Sequence, residues 1–212
     1  MSVRTYGKKQ PRKADMSNAV VYDTEIKKGI LGKGEAPLEN IEYCAGWRDF
    51  ENMGISCLCA HDLKADRIHV FMDDNLGRFG ELLSATDIVV TFNGIGFDNR
   101  LLEANGIIVP GDKNYDILFE AWKADGLDPT TFNFSTHAGY GLDAFLKAND
   151  IPLKTGHGAT APVWWQHGKL GQLISYCLYD VAATVVLFRR IERGDALKHP
   201  KRIGEMFTLR RP

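Results

Sequence analysis

Cysteine is scarce in this chain of 212 residues, and its four copies, Cys44, Cys57, Cys59 and Cys177, have no spacing that reads as a disulfide framework. No CxxC knuckle is present. Cys57, Cys59 and His61 would share one side of a strand, but a zinc site needs a fourth ligand, so reduced core cysteines are expected instead. No uninterrupted apolar stretch approaches the ~20 residues of a membrane span. The N-terminus, MSVRTYGKKQPRKAD, carries no apolar h-region, which excludes a secretory signal and makes a cytoplasmic location without membrane contact the expectation. Internal repeats and low-complexity linkers are absent, as are polymerase-palm and helicase motifs. Charge of one sign is lacking overall: the formal net charge is -1, which excludes a uniformly basic nucleic-acid binder.

What is present is ordinary for one globular α/β domain, with 44% apolar and 25% charged residues. The basic residues gather at the ends. Arg4, Lys8, Lys9, Arg12 and Lys13 precede the first strand, and Arg189, Arg190, Arg193, Lys198, Lys201, Arg202, Arg210 and Arg211 close the chain. The reading is a flexible basic segment over 1–16, a domain over 17–195 and a basic tail over 196–212. Strands are expected at Ala19 to Thr24, Ile55 to Ala60, Arg67 to Met72 and Asp87 to Phe92. Helical spacing covers Asn75 to Ala85, Asp98 to Asn105, Tyr115 to Ala124, Leu142 to Asn149 and, most strongly, Lys169 to Arg190. The order implies a mixed sheet with helices packed on it.

Three segments place acids where apolar elements end. In VVYDTEI, Asp23 and Glu25 point to one side of a strand, with Cβ atoms roughly 6–7 Å apart. Like charges so placed repel unless a cation lies between them, and hard divalent cations prefer carboxylate oxygens. The plainer reading is a solvated strand end with Asp23 capping a turn. In TFNGIGFD, Asn93 ends a strand, two glycines follow, and Asp98 falls at a helix N-terminus, where an anion is favoured anyway. In SYCLYD, Tyr176 and Asp180 lie four apart on one helix face. Asp180 sits among core candidates, so its charge must be solvated, paired or metal-bound.

Together, and in this order, VVYDTE, FNGIGFD and YCLYD resemble the three exonuclease motifs of the DEDD superfamily of 3′–5′ exonucleases, which has a ribonuclease H-like fold. The first is Asp-x-Glu at Asp23/Glu25. The second is Asn93, three residues, then Phe97-Asp98. The third is Tyr176 with Asp180. The other branch of the superfamily places His five residues before the last Asp; here that residue is Ser175, so the chain is similar to the tyrosine branch, which includes the proofreading domains of family B DNA polymerases. The likeness spans residues 17 to 192. Tyr115-Asp116-Ile117-Leu118 and Gly141-Leu142-Asp143 are softer family-like features. An insertion-like stretch from Lys27 to Ile41 and a glycine-rich loop around Gly156 depart from the pattern.

The resemblance implies two divalent cations, Mg²⁺ or Mn²⁺, held by Asp23, Glu25, Asp98 and Asp180 at ~3.5–4 Å from each other. Tyr176 would orient the attacking water, since a phenol with pKa near 10 is a poor base at neutral pH. Thr24, Asn93, Phe97, Trp164 and Trp165 are expected to bind substrate, with Phe132, Phe134 and Tyr140 as further stacking candidates; Lys154, His157 and Lys169 read first as ordinary loop charge, with phosphate contact as the alternative. The expected substrate is the 3′ end of single-stranded DNA, released as nucleoside 5′-monophosphates, with a polymerase or helicase as partner. The alternatives are an exoribonuclease, which a reader of the 2′-hydroxyl would distinguish, and a catalytically silent nucleic-acid-binding module.

Overall fold

A computed structural model describes residues 15–153 and 158–212. The expected basic segment lies almost wholly outside the described residues, as do Lys154, Gly156 and His157.

The first strand, β1, runs over Ala19–Ile26. Two short paired strands follow, β2 (Gly29–Ile30) and β3 (Tyr43–Cys44), and then one helical turn, α1 (Phe50–Met53). Strands β4 (Ile55–Asp62) and β5 (Arg67–Phe71) form a hairpin, and α2 (Arg78–Ala85) leads to β6 (Ile88–Thr91). Next come α3 (Asp98–Ala104), β7 (Asn114–Asp116), α4 (Ile117–Ala124), α5 (Phe134–His137) and α6 (Leu142–Ala148). The chain ends with α7 (Ala161–Gln166), the long α8 (Leu170–Arg193) and the pair β8 (Leu197–Lys198) and β9 (Met206–Phe207).

The main sheet has the order β5-β4-β1-β6-β7. β4 is antiparallel to both β1 and β5, whereas β6 is parallel to β1 and β7 is parallel to β6. This mixed sheet with helices on both faces is the α/β arrangement expected from the sequence, and it is compatible with a ribonuclease H-like fold.

Period-two alternation in β1 divides the core. Val20, Tyr22 and Ile26 face one way and join Met53, Phe79, Leu83, Leu101 and Leu102 from α1, α2 and α3. Ala19 and Val21 face the other way and join Cys57, Cys59, Leu173, Cys177 and Val181, so α8 lies across β1 and β4. Asp23 and Glu25 continue the Ala19–Val21 stripe along the strand. Along β1, β6 pairs with Ala19, Val20 and Val21 and no further. The far half of β1 therefore runs past its parallel neighbour, and the site opens there.

Two expectations change. The helix expected over Tyr115 to Ala124 opens instead as the edge strand β7, because residues 114–116 pair with β6 before Asp116 caps α4. α8 is also long and apolar enough, by length and composition alone, to cross a membrane. Tyr179, Asp180 and Thr184 divide its apolar runs in sequence, and in the fold Leu173, Cys177, Leu187 and Phe188 are wholly buried in the core. The basic segment 196–212 packs onto the domain: Leu197 and Leu209 are buried, and Tyr115 donates its hydroxyl hydrogen to the carbonyl of Arg210.

Candidate functional site

The open half of β1, the turn after β6 and the middle of α8 enclose a cleft of about 500 Å³. Asp23, Thr24, Glu25, Asn93, Phe97, Asp98, Tyr176 and Asp180 all line it. These eight are expected site residues drawn from segments far apart in the chain. The position matches the rule that sites in open α/β sheets form beyond the carboxyl ends of parallel strands.

Asp98 begins α3 but does not cap it; the residue in the cap position is Phe97, which makes no side-chain cap bond. The Asp98 carboxylate turns instead to β1. Its Oδ1 accepts from the backbone N–H of Thr24 at 3.0 Å and from the Thr24 hydroxyl at 2.5 Å. Those bonds lower its pKa, but burial dominates, helped by the charge on Asp116, and pushes the Asp98 carboxyl up to about 6. The Asp98 carboxylate is thus costly to keep charged in its buried position. A divalent cation would relieve that cost, which is one physical sign that the donors suit a hard ion.

The turn between β6 and α3 has strict steric demands. Asn93 adopts a left-handed φ of 67°, which Asn tolerates better than most residues. A Cβ on Gly96 would fall 2.5 Å from Asn93 Oδ1, and one on Gly94 would fall 2.5 Å from the Thr91 Cβ. At Gly94 the Thr91 Cβ leaves room for glycine alone, and at Gly96 a larger residue would require the Asn93 amide to turn away, so FNGIGFD has a local reason independent of any ligand. The turn is also held from behind. Asp116 accepts from the backbone N–H groups of Asn93 and Ile95, each at 2.9 Å.

Glu25, Tyr176 and Asp180 are each more than nine-tenths buried, and Asp23 is half-buried. Asp23, Glu25 and Cys177 bring ligand atoms within 4.8 Å of one another. Acidic groups at this place could hold a metal ion. Tyr176 stands one helical turn before Asp180 on the cleft side of α8 and packs edge-on against Trp164, with ring centroids 5.6 Å apart.

Trp164 and Trp165, expected at the substrate, do not line this cleft. Trp164 serves as packing for Tyr176, and Trp165 lies beneath the Lys27 ammonium, 5.0 Å from the ring centroid. Phe132 and Phe134 are exposed elsewhere, and Tyr140 is buried against His199. Lys169 sits at the N-cap position of α8, and the other two candidate phosphate contacts, Lys154 and His157, fall outside the described residues. Sequence reasoning missed Trp47, Arg48, Phe50 and Arg100, all of which line the cleft. Trp47 is 69% exposed and stands edge-on to Phe97 at 6.1 Å. Arg48 and Arg100 form no ion pair among the described residues. The available signal was an aromatic beside an arginine, Trp47-Arg48, just after the insertion-like stretch.

No family model matches the chain, and no curated protein matches it. Among solved structures, it is similar to the family B DNA polymerase from the hyperthermophilic archaeon Pyrobaculum calidifontis, with a TM-score of 0.53 and 18% identity over 82% of this chain. The match covers 24% of the polymerase, so the chain spans about a quarter of that protein's length. At this identity the likeness shows a shared fold.

Proposed function

We propose that the protein is a metal-dependent 3′–5′ exonuclease that removes nucleoside 5′-monophosphates from single-stranded DNA ends. One observation carries the reading: Asp23 and Glu25 from β1, Asp98 from α3 and Asp180 from α8 line a single cleft together with Tyr176. Four carboxylates gathered beside a half-exposed opening cost free energy unless a ligand compensates them. The fold likeness to a DNA polymerase supports a nucleic acid as that ligand's partner and favours DNA.

Asp23, Glu25, Asp98 and Asp180 would hold two divalent cations, Mg²⁺ or Mn²⁺. Bound there, the cations would supply an activated water and stabilise charge on the phosphate and the leaving 3′ oxygen. The residues of the chain do the positioning. Thr24 fixes one Asp98 oxygen, leaving the other for the cleft. The Tyr176 ring packs against Trp164, and its hydroxyl orients a water by hydrogen bond. Phe97 and Trp47 offer ring faces to a terminal base, a contact worth about 1–3 kcal/mol. Arg48 and Arg100 are the cationic lining residues that suit phosphate.

The test is an assay on 5′-labelled single-stranded DNA, duplex DNA and RNA, with Mg²⁺, Mn²⁺ or chelator. The expected result is stepwise shortening of single-stranded DNA from the 3′ end, with loss of at least 10²-fold in the folded Asp98→Ala/Asp180→Ala variant, the scale of one lost transition-state contact. Activity that survives chelation, or that this variant retains, would sink the reading. Metal-dependent binding of DNA without cleavage would favour the silent module, and preference for RNA would favour the exoribonuclease.

A further inference from the structure

Three of the four cysteines meet directly behind the acids, and the nuclease reading uses none of them. Cys57 and Cys59 project from the same face of β4, and Cys177 comes down on them from α8. All three are fully buried, and their Sγ atoms lie within 4.8 Å of one another. His61, the residue that sequence spacing places with Cys57 and Cys59, instead meets Asp66 at 2.9 Å. Cys44 is elsewhere, directed at the carbonyls of Gly29 and Gly46.

The size of the triangle suits a shared ion. Thiolates bound at ~2.3 Å to one metal lie about 3.8–4.0 Å apart in tetrahedral or trigonal geometry. The present contacts of these thiols are weak ones that a metal could replace. Cys59 reaches the Ile174 carbonyl at 3.9 Å, and Cys177 reaches the Asp23 carbonyl at 3.4 Å and its Oδ2 at 3.7 Å. The last contact also marks a route in. Asp23 lines the open cleft, so Cys177 lies one side chain below solvent although its own surface is buried. Cys177 belongs to both candidate donor sets, three sulfurs on one side and Asp23 with Glu25 on the other. Soft thiolates and hard carboxylates select different metals.

We propose that Cys57, Cys59 and Cys177 bind one thiophilic d¹⁰ cation, Zn²⁺ or Cd²⁺, with the fourth position open toward the acidic cleft, through which the ion enters. Three thiols release their protons to solvent as the three metal–sulfur bonds form, so affinity rises with pH. The site stands independently of the nuclease reading.

The experiment titrates the metal-free, reduced full chain with Cd²⁺ and follows the sulfur-to-cadmium charge-transfer absorption. A band saturating at one equivalent is expected, unchanged in Cys44→Ala and in Asp98→Asn/Asp180→Asn, and lost in Cys177→Ser and in Cys57→Ser/Cys59→Ser. Retention in the double acid variant separates this site from any hard-cation site, so either proposal can fail alone. No band on the folded chain, or a band lost in Cys44→Ala, would overturn the assignment. Where a cysteine variant fails to fold by circular dichroism, cadmium-113 resonance of the unaltered chain decides. A shift in the multi-thiolate range supports the site, and a shift in the all-oxygen range refutes it.

Discussion

The carboxylate of Asp116 serves the turn after β6 and the start of α4 at once. It accepts from Asn93 and Ile95 at 2.9 Å, and from the backbone N–H groups of Leu118 and Phe119 at 3.0 and 3.3 Å. The residue is 2% exposed. Burial pushes its pKa up, and the four backbone bonds oppose that shift. Each buried N–H left without an acceptor costs about 1–3 kcal/mol, and a lost helix cap about 0.5–2. Asp116→Ala is therefore expected to destabilise the protein by about 2–4 kcal/mol in urea unfolding, since water will satisfy some of the groups. A loss under ~0.5 kcal/mol, the level of an ordinary surface change, would mean that the turn holds itself. Tyr115-Asp116 is visible in the sequence as a family-like pair, but the work Asp116 does is not. The donors it serves lie up to 23 positions away, and only the parallel pairing of β6 and β7 brings them within reach.

At the scale of elements, the short C-terminal strands are fastened to α4 through Asp125, whose side chain is 6% exposed. Asp125 accepts from His199 Nε2 at 2.7 Å, from Arg202 at 2.7 and 3.0 Å, and from the Tyr140 hydroxyl. His199 Nδ1 in turn accepts from the backbone of Lys201 and Arg202. Burial alone would raise the Asp125 pKa, but Arg202, Tyr140 and His199 outweigh it and hold the carboxyl well below the ordinary 3.8. A carboxyl with a lowered folded-state pKa binds fewer protons when folded than when unfolded. Its stabilisation is complete above pH ~4 and is lost as pH falls from there through the folded-state value. Asp125→Asn should cost about 1–3 kcal/mol near neutral pH. It should also flatten the decline in urea midpoint below pH 4 relative to the unaltered chain. Parallel declines in the two proteins would show that other carboxyls govern acid unfolding. The contrast with the strongly periodic elements is physical. β1, β4 and α8 carry long apolar patterns that declare themselves, and their ends shifted by only a few residues. β7, β8 and β9 are two or three residues long and exist because neighbours offer them hydrogen bonds. No local pattern distinguishes them from loop.

For the whole molecule, the proposed metal site would couple ion binding to folding. An ion that binds the folded state alone stabilises it by about 2.7 kcal/mol at a hundredfold excess over Kd. For a domain of this size that is a rise in Tm of about 5–10 °C. Scanning calorimetry should show this rise with Mn²⁺ or Mg²⁺, its reversal by chelator, and its absence in Asp98→Ala/Asp180→Ala. An equal rise in that variant would place the ions elsewhere. The amino-acid sequence by itself determined the α/β class, the major strands and helices, and the three acid-bearing segments, because hydrophobic periodicity, glycine sterics and motif spacing are properties of neighbouring residues. Tertiary structure alone decided that Cys177, and not His61, joins Cys57 and Cys59, that Trp47 lines the cleft while Trp164 packs beneath Tyr176, and that Asp116 anchors the turn. Those outcomes depend on how α8 crosses β1 and β4 and on where β6 stops pairing. Such geometry is set by the packing of side chains as many as 154 positions apart, as with Asp23 and Cys177, and no local pattern records it.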